Sequence, residues 1–187
     1  MTYEYKGDEP TSPPPRLVLT GVTDAGRSTI VSDGPTAVVY GSPFVTAAAL
    51  WEAEKLPPQP GGNHHPVLHE DFAPHTGLRV FISVFPPASQ WADNPEMVRE
   101  VLAAAGMEPE GDRPPGFHAT DTIDIQTVVD GEIYCLTDEK EVLLTQGDTI
   151  IMNGIQHAWI NRSDKPATVL ATMIANSPAL TEEKRHA

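Results

Sequence analysis

From Phe117 to Ala175 the chain is cut at short, regular intervals by turn signals: Asp130-Gly131, Thr137 to Lys140, Gly147-Asp148, Asn153-Gly154 and Asn161 to Pro166. The segments between them are too short for helices and rich in Ile, Val and Thr, so each reads as a β-strand. About six strands packed this closely predict an all-β sandwich or barrel. No internal repeat of fixed period is visible.

One segment breaks the usual alternation. In FHATDTIDIQTVVDGE, residues 117 to 132, a strand places His118, Thr120, Thr122, Asp124, Gln126 and Val128 on one face. A core strand buries apolar residues there. This face therefore borders water at an edge or lines a site, and His118 and Asp124 are the residues on it with chemistry to offer. A second stretch, QGDTIIMNGIQHAWIN, turns at Gly147-Asp148 and again at Asn153-Gly154 before a strand carrying His157, Trp159 and Asn161. If the two stretches are neighbours, two imidazoles and a carboxylate converge.

Upstream, RLVLTGV and RSTIVSD flank the turn Asp24-Ala25-Gly26, and TAVVYG follows, all read as strands; GLRVFISVFPP is a strand stopped by two prolines. TAAALWEAEKL has helix-forming residues and predicts a short helix ending before Pro57-Pro58. The segment from Pro57 to His75 is a loop by composition and holds His64, His65, His69 and His75. Asn94-Pro95 opens a helix with a cap and a first-turn proline, Met97, Val98, Val101, Leu102 and Ala105 form its apolar stripe, and Gly106 closes it. The expected organisation is a proline-rich arm over 1–15, a β body over 16–175 with a helical insertion at about 93–107, and a tail over 176–187.

Charge and cysteine content exclude several classes. Lys and Arg total 12 and Asp and Glu 26, a net charge of −14, which argues against nucleic-acid and anionic-membrane partners. A single cysteine, Cys135, allows no intrachain disulfide, and the N-terminus lacks a basic region followed by an apolar run; the expectation is a cytoplasmic protein.

The two stretches together resemble the motifs of the cupin superfamily. His118 stands at the first histidine of the first motif, Thr120 at its second, Asp124 at its glutamate, and Gly131 follows; Gly147, Met152-Asn153-Gly154, His157 and Asn161 match the second, with Met152 at the usual proline. HATDTIDIQTVVDGE and GDTIIMNGIQHAWINRSDKPA are similar to small bacterial single-domain cupins, and the likeness extends over most of residues 16 to 175. The resemblance implies a double-stranded β-helix, the jelly-roll cupin barrel, with one or two short helices in an insertion and at the termini. It implies a divalent transition metal on His118, Asp124 and His157, Fe(II) first by the two-histidine, one-carboxylate set, with Zn, Mn, Ni or Co also suited. His75 is a further candidate ligand. Thr120, which replaces a histidine, Gln126, Tyr134 and Trp159 are candidate substrate contacts, while Cys135 reads as a buried small residue.

Three functions are open on this reading. One is a metal-dependent enzyme acting on a small carbonyl- or carboxylate-bearing molecule by oxygenase-type chemistry. Another is a lyase (dehydratase or decarboxylase) or isomerase. The third is a small-molecule-binding cupin without turnover. A homodimer is expected, because cupins resembling this one often pair through sheet edges.

Overall fold

The computed structural model describes residues 13–36, 38–58, 66–67, 69, 72–104, 113–114 and 116–176. Strands β1 (Arg16–Val22) and β2 (Ser28–Pro35) form a two-stranded hairpin. Strands β3 (Val38–Gly41), β4 (Thr46–Ala53), β5 (Leu78–Phe85), β6 (Thr122–Asp130), β9 (Thr149–Asn153) and β11 (Ala167–Ala175) make a six-stranded sheet in the order β3-β4-β5-β11-β6-β9. A three-stranded sheet, β10-β7-β8, is built from β7 (Glu132–Leu136), β8 (Glu141–Thr145) and β10 (Ala158–Ile160). The six strands expected after Phe117 are all present, as is the strand in GLRVFISVFPP. The body is the all-β barrel expected from the sequence.

The two larger sheets share one core. Val128, Met152, Ala167 and Val169 of the six-stranded sheet pack with Ile133, Cys135 and Leu144 of the three-stranded sheet. A second cluster, Ala49, Phe81, Ala171 and Met173, continues that core toward β4. Directly paired residues share a face, so the register defines rows across the sheet. One row runs Glu52, Arg79, Met173, Asp124 and Met152.

The helix predicted for TAAALWEAEKL is instead strand β4. Thr46, Ala47, Ala48 and Ala49 are all buried, so both faces of this segment are covered, and it pairs with β3 on one side and β5 on the other. Burial and ladder hydrogen bonds override the helix propensity of its alanines and glutamate. The helix after Asn94 forms as expected: α1 (Pro95–Ala104) begins with Asn94 Oδ1 accepting from the Met97 amide at 3.2 Å. Its expected end, Ala105 and Gly106, lies outside the described residues, as do His64, His65, residues 1–12 and residues 177–187.

Topology dictates where α1 lies. β5 and β6 both run antiparallel to β11, hence parallel to each other, and parallel strands require a crossover connection, commonly helical. α1 sits in that crossing. No helix among the described residues is long and apolar enough to cross a membrane.

Candidate functional site

His118 and His157 are brought together by backbone and side chain alike. Each amide donates to the other's carbonyl, at 2.9 Å from His118 and 3.0 Å from His157, forming an isolated bridge. The regular strand β6 starts only at Thr122, so His118 precedes the strand that the sequence placed it on. The two imidazole centroids are 4.6 Å apart. His118 Nδ1 lies 2.9 Å from the Gly116 carbonyl and His157 Nδ1 lies 3.0 Å from that of Ile155. A carbonyl oxygen only accepts, so both Nδ1 atoms carry the proton, and in the neutral rings both Nε2 atoms keep a lone pair.

Burial sets the protonation of His157. His157 is 2% exposed, and burial, reinforced by the positive charge His118 carries when protonated, pushes its pKa down to about 4 against a weaker pull from the Ile155 carbonyl. His157 is therefore neutral near pH 7.

Asp124 lies on the inward face with Thr122, Gln126 and Val128, the face singled out in the sequence, and all four are buried. Its cross-strand neighbours are Met152 and Met173, themselves buried. That apolar setting raises the carboxyl pKa, opposed by hydrogen bonds from Thr122 and Gln126 and by the charge of His118. Thr122 Oγ1 donates to Asp124 Oδ1 at 2.5 Å, and Thr120 Oγ1 lies 2.6 Å from Thr122 Oγ1. Thr120 thus joins a hydroxyl chain leading to the carboxylate.

The donor chemistry fits a divalent metal at the two imidazoles, whose Nδ1 atoms are anchored on backbone carbonyls in the manner of histidine ligands. Asp124 is engaged with Thr122 and Gln126, and among the described residues no group of three or more His, Cys, Asp and Glu side chains is placed to hold a metal ion. His75 is exposed on the turn ahead of β5. His69 Nε2 bonds Glu52 Oε2 at 2.7 Å, and Arg79 Nε stands 3.5 Å from the same oxygen. This second polar cluster pins the loop to β4 and was not legible in the sequence, because only the strand register brings Glu52 beside Arg79.

Beside His118 opens a cavity of about 140 Å³. Phe44, Val45, Phe85, Trp91 and Trp159 line it, and Val98, Val101 and Leu102 of α1 close it. Trp159, a candidate substrate contact from the sequence, lies in this lining with its ring 6.2 Å from that of His157. Tyr134, another candidate contact, carries the Arg162 guanidinium 4.3 Å from its ring centroid, and Arg162 pairs with Glu141. Neither Phe44 nor Trp91 was singled out in the sequence; an aromatic residue in a loop has no periodicity to reveal which way it faces.

Residues 105–173 match the family model described as Cupin domain (Cupin_2). No curated protein matches the chain. Among solved structures, a conserved protein of unknown function from Streptococcus pyogenes aligns at 14% identity and a TM-score of 0.39, covering 71% of this chain and 75% of that one. A structure titled FeII HppE aligns at 18% identity and 0.40, covering 85% and 56%. A sugar phosphate isomerase from Silicibacter pomeroyi aligns at 17% and 0.35, covering 54% and 52%. Likenesses this distant assign no activity. The family match falls on both histidines, on Asp124 and on the strands that follow them, so over residues 105–173 the chain is similar to a cupin domain.

Proposed function

We propose that this protein is an enzyme for a small carbonyl- or carboxylate-bearing molecule, with its reactive end at His118 and His157. The observation that carries the reading is the pair itself: two imidazoles 4.6 Å apart, each tied through Nδ1 to a backbone carbonyl and each offering Nε2. Those two nitrogens would hold a divalent transition metal, with Asp124 as the nearby carboxylate, and Fe(II) suits such a donor set best. When bound, the metal supplies Lewis acidity and, as iron, redox capacity. The protein's own contribution is to keep His157 neutral by burial, to fix both rings, and to exclude water through α1 and the aromatic cavity wall.

A second reading, acid–base catalysis without metal, is favoured by Asp124. Burial favours the neutral form of its carboxyl more than water would, and neutral His157 keeps a free Nε2 to accept a proton in the same barrel. One imidazole nitrogen cannot both ligate a metal and take a proton, so the readings exclude each other at His157.

Elemental analysis of the purified protein separates them. Near-stoichiometric iron with oxygen uptake supports the oxygenase, and zinc or nickel without oxygen consumption supports a metal-dependent lyase. No transition metal, together with unchanged ligand affinity in His118→Ala and His157→Ala, overturns the metal reading. We also propose a homodimer, supported by apolar side chains exposed on the hairpin and outer sheet, Val22 at 62% and Ile151 at 60%. Light scattering at twice the 20.2 kDa chain mass is the expected result.

A further inference from the structure

The β1-β2 ribbon is anchored to its own chain only at its base. There the amide of buried Thr36 donates to the Pro15 carbonyl at 3.0 Å, and the Thr36 hydroxyl donates to the Ala49 carbonyl of β4. Beyond that base β1 and β2 pair only with each other, share no extended contact with another strand or with α1, and leave no residue from Arg16 to Pro35 buried. Yet the ribbon is not polar. Its register puts Val18, Val22 and Ile30 on one face, all exposed. The only charges on its two strands, Arg16 and Asp33, neutralise each other through two hydrogen bonds of 2.7 and 2.8 Å. A lone two-stranded ribbon is marginal in water and gains stability from an apolar support.

The six-stranded sheet has the converse problem. Next to the inward row that holds Asp124 lies an outward row, Ile151, Ile125, Thr172 and Val80, running across β9, β6, β11 and β5. The rows on either side of it hold only Ile, Leu, Thr and Asn, so three consecutive outward rows carry no charge in a chain in which 20% of residues are charged. Antiparallel sheets with one face in water ordinarily turn polar residues outward. Here Ile151, Ile125 and Leu170 stand exposed instead.

We infer that two copies of this chain exchange ribbons, the Val18, Val22 and Ile30 face of each lying on the Ile125, Ile151 and Leu170 face of its partner. The inference rests on the homodimer proposed above and names the surfaces that make it. Charge selects a second copy as the occupant: two chains of −14 repel where acidic surfaces meet, and on these faces they meet without that cost. Every copy carries both an unsupported ribbon and an uncovered support, so a two-fold exchange satisfies both at once. At about 3.3 Å per residue the seven residues of β1 make a ribbon about 23 Å long and, with side chains, about 10 Å wide, which laid down twice buries on the order of 1,000 Å², the size at which interfaces become specific.

Light scattering of the full chain and of two double variants tests it. Val22→Lys with Ile30→Lys charges the ribbon, and Ile125→Glu with Ile151→Glu charges the support; all four positions are exposed, and circular dichroism with thermal unfolding shows that each variant is folded. Wild type should have twice the 20.2 kDa chain mass and each variant alone the single-chain mass. An equal mixture of the two variants should regain the dimer, because one ribbon contact is then wild type and the other sets Lys against Glu. Val142→Glu, at an exposed residue of β8 outside both faces, should leave the dimer intact. Ser at the same positions serves where a charge unfolds the chain, read as a more than tenfold rise in the dimer's dissociation constant. A monomeric wild type overturns the exchange together with the dimer. A dimer that survives either double variant, that the mixture does not restore, or that Val142→Glu also abolishes overturns the exchange and leaves a dimer built on other surfaces.

Discussion

His118 and His157 hold each other by a reciprocal pair of backbone hydrogen bonds while their imidazoles lie 4.6 Å apart, centre to centre. The geometry of the rings is thus set by main chain, not by long flexible side chains, and a substitution at either position keeps the bridge. Removing either imidazole should therefore abolish stoichiometric metal while the fold persists. Elemental analysis and far-ultraviolet circular dichroism of His118→Ala and His157→Ala check both halves of that statement.

The depressed pKa of His157 makes stability depend on pH in a defined window. Its folded pKa, about 4, lies below the ordinary 6.5, so the unfolded chain takes up the proton first as pH falls. Stability from this residue is complete above about pH 6.5, declines through that interval, and is fully lost below about pH 4, by about 3 kcal/mol. Urea unfolding of metal-free protein at pH 7 and pH 4, compared with His157→Gln, reads it: the variant should lose less on acidification, by about that amount.

Asp124 acts with the opposite sign. Burial between Met152 and Met173 raises its carboxyl pKa, so the cost of ionising it in the folded state appears as pH rises through that value. Asp124→Asn, which still accepts from Thr122, should raise the melting temperature of metal-free protein at neutral pH and change it little near pH 3. Equal melting temperatures at pH 7 would contradict this.

Asn161 is 2% exposed and fastens the end of β10 to β5 and to the turn before β11. Asn161→Ala removes the partner of the Phe85 and Lys165 carbonyls and of the Ser163 donors, a loss of about 2 kcal/mol in chemical denaturation. Asn161 was read from the sequence as part of a motif; the structure shows that its role is to close a corner of the barrel.

Cys135 is fully buried, and burial pushes its thiol pKa up to about 11. The native protein should leave it unmodified by a thiol-specific aromatic disulfide at pH 8, and unfolding in guanidinium should release one reactive thiol per chain.

The local rules read this chain well where they act alone. Turn residues delimited the strands from Thr122 to Ala175, and alternation identified the inward face of β6, because both depend only on neighbours in sequence. The cap at Asn94 was legible for the same reason. Strand β4 was not, since nothing in TAAALWEAEKL announces that both its faces will be covered. The site was legible in its histidines, which sit in motif register, and hidden in its wall. Phe44, Trp91 and α1 reach the cavity through the path of the chain between distant strands, and Asp124 is turned toward Thr122 by a contact that spacing does not encode.

The crossing from β5 to β6 has an evolutionary consequence. Because both strands flank β11, the chain between them must traverse the barrel whatever its sequence, so a cover over the cavity is an inherited property of the connectivity. Its residues are another matter. Positions 91 to 102 carry no strand register and can change one at a time, so lineages sharing this barrel are free to diverge in the molecules they admit while the histidine pair stays where the main chain puts it.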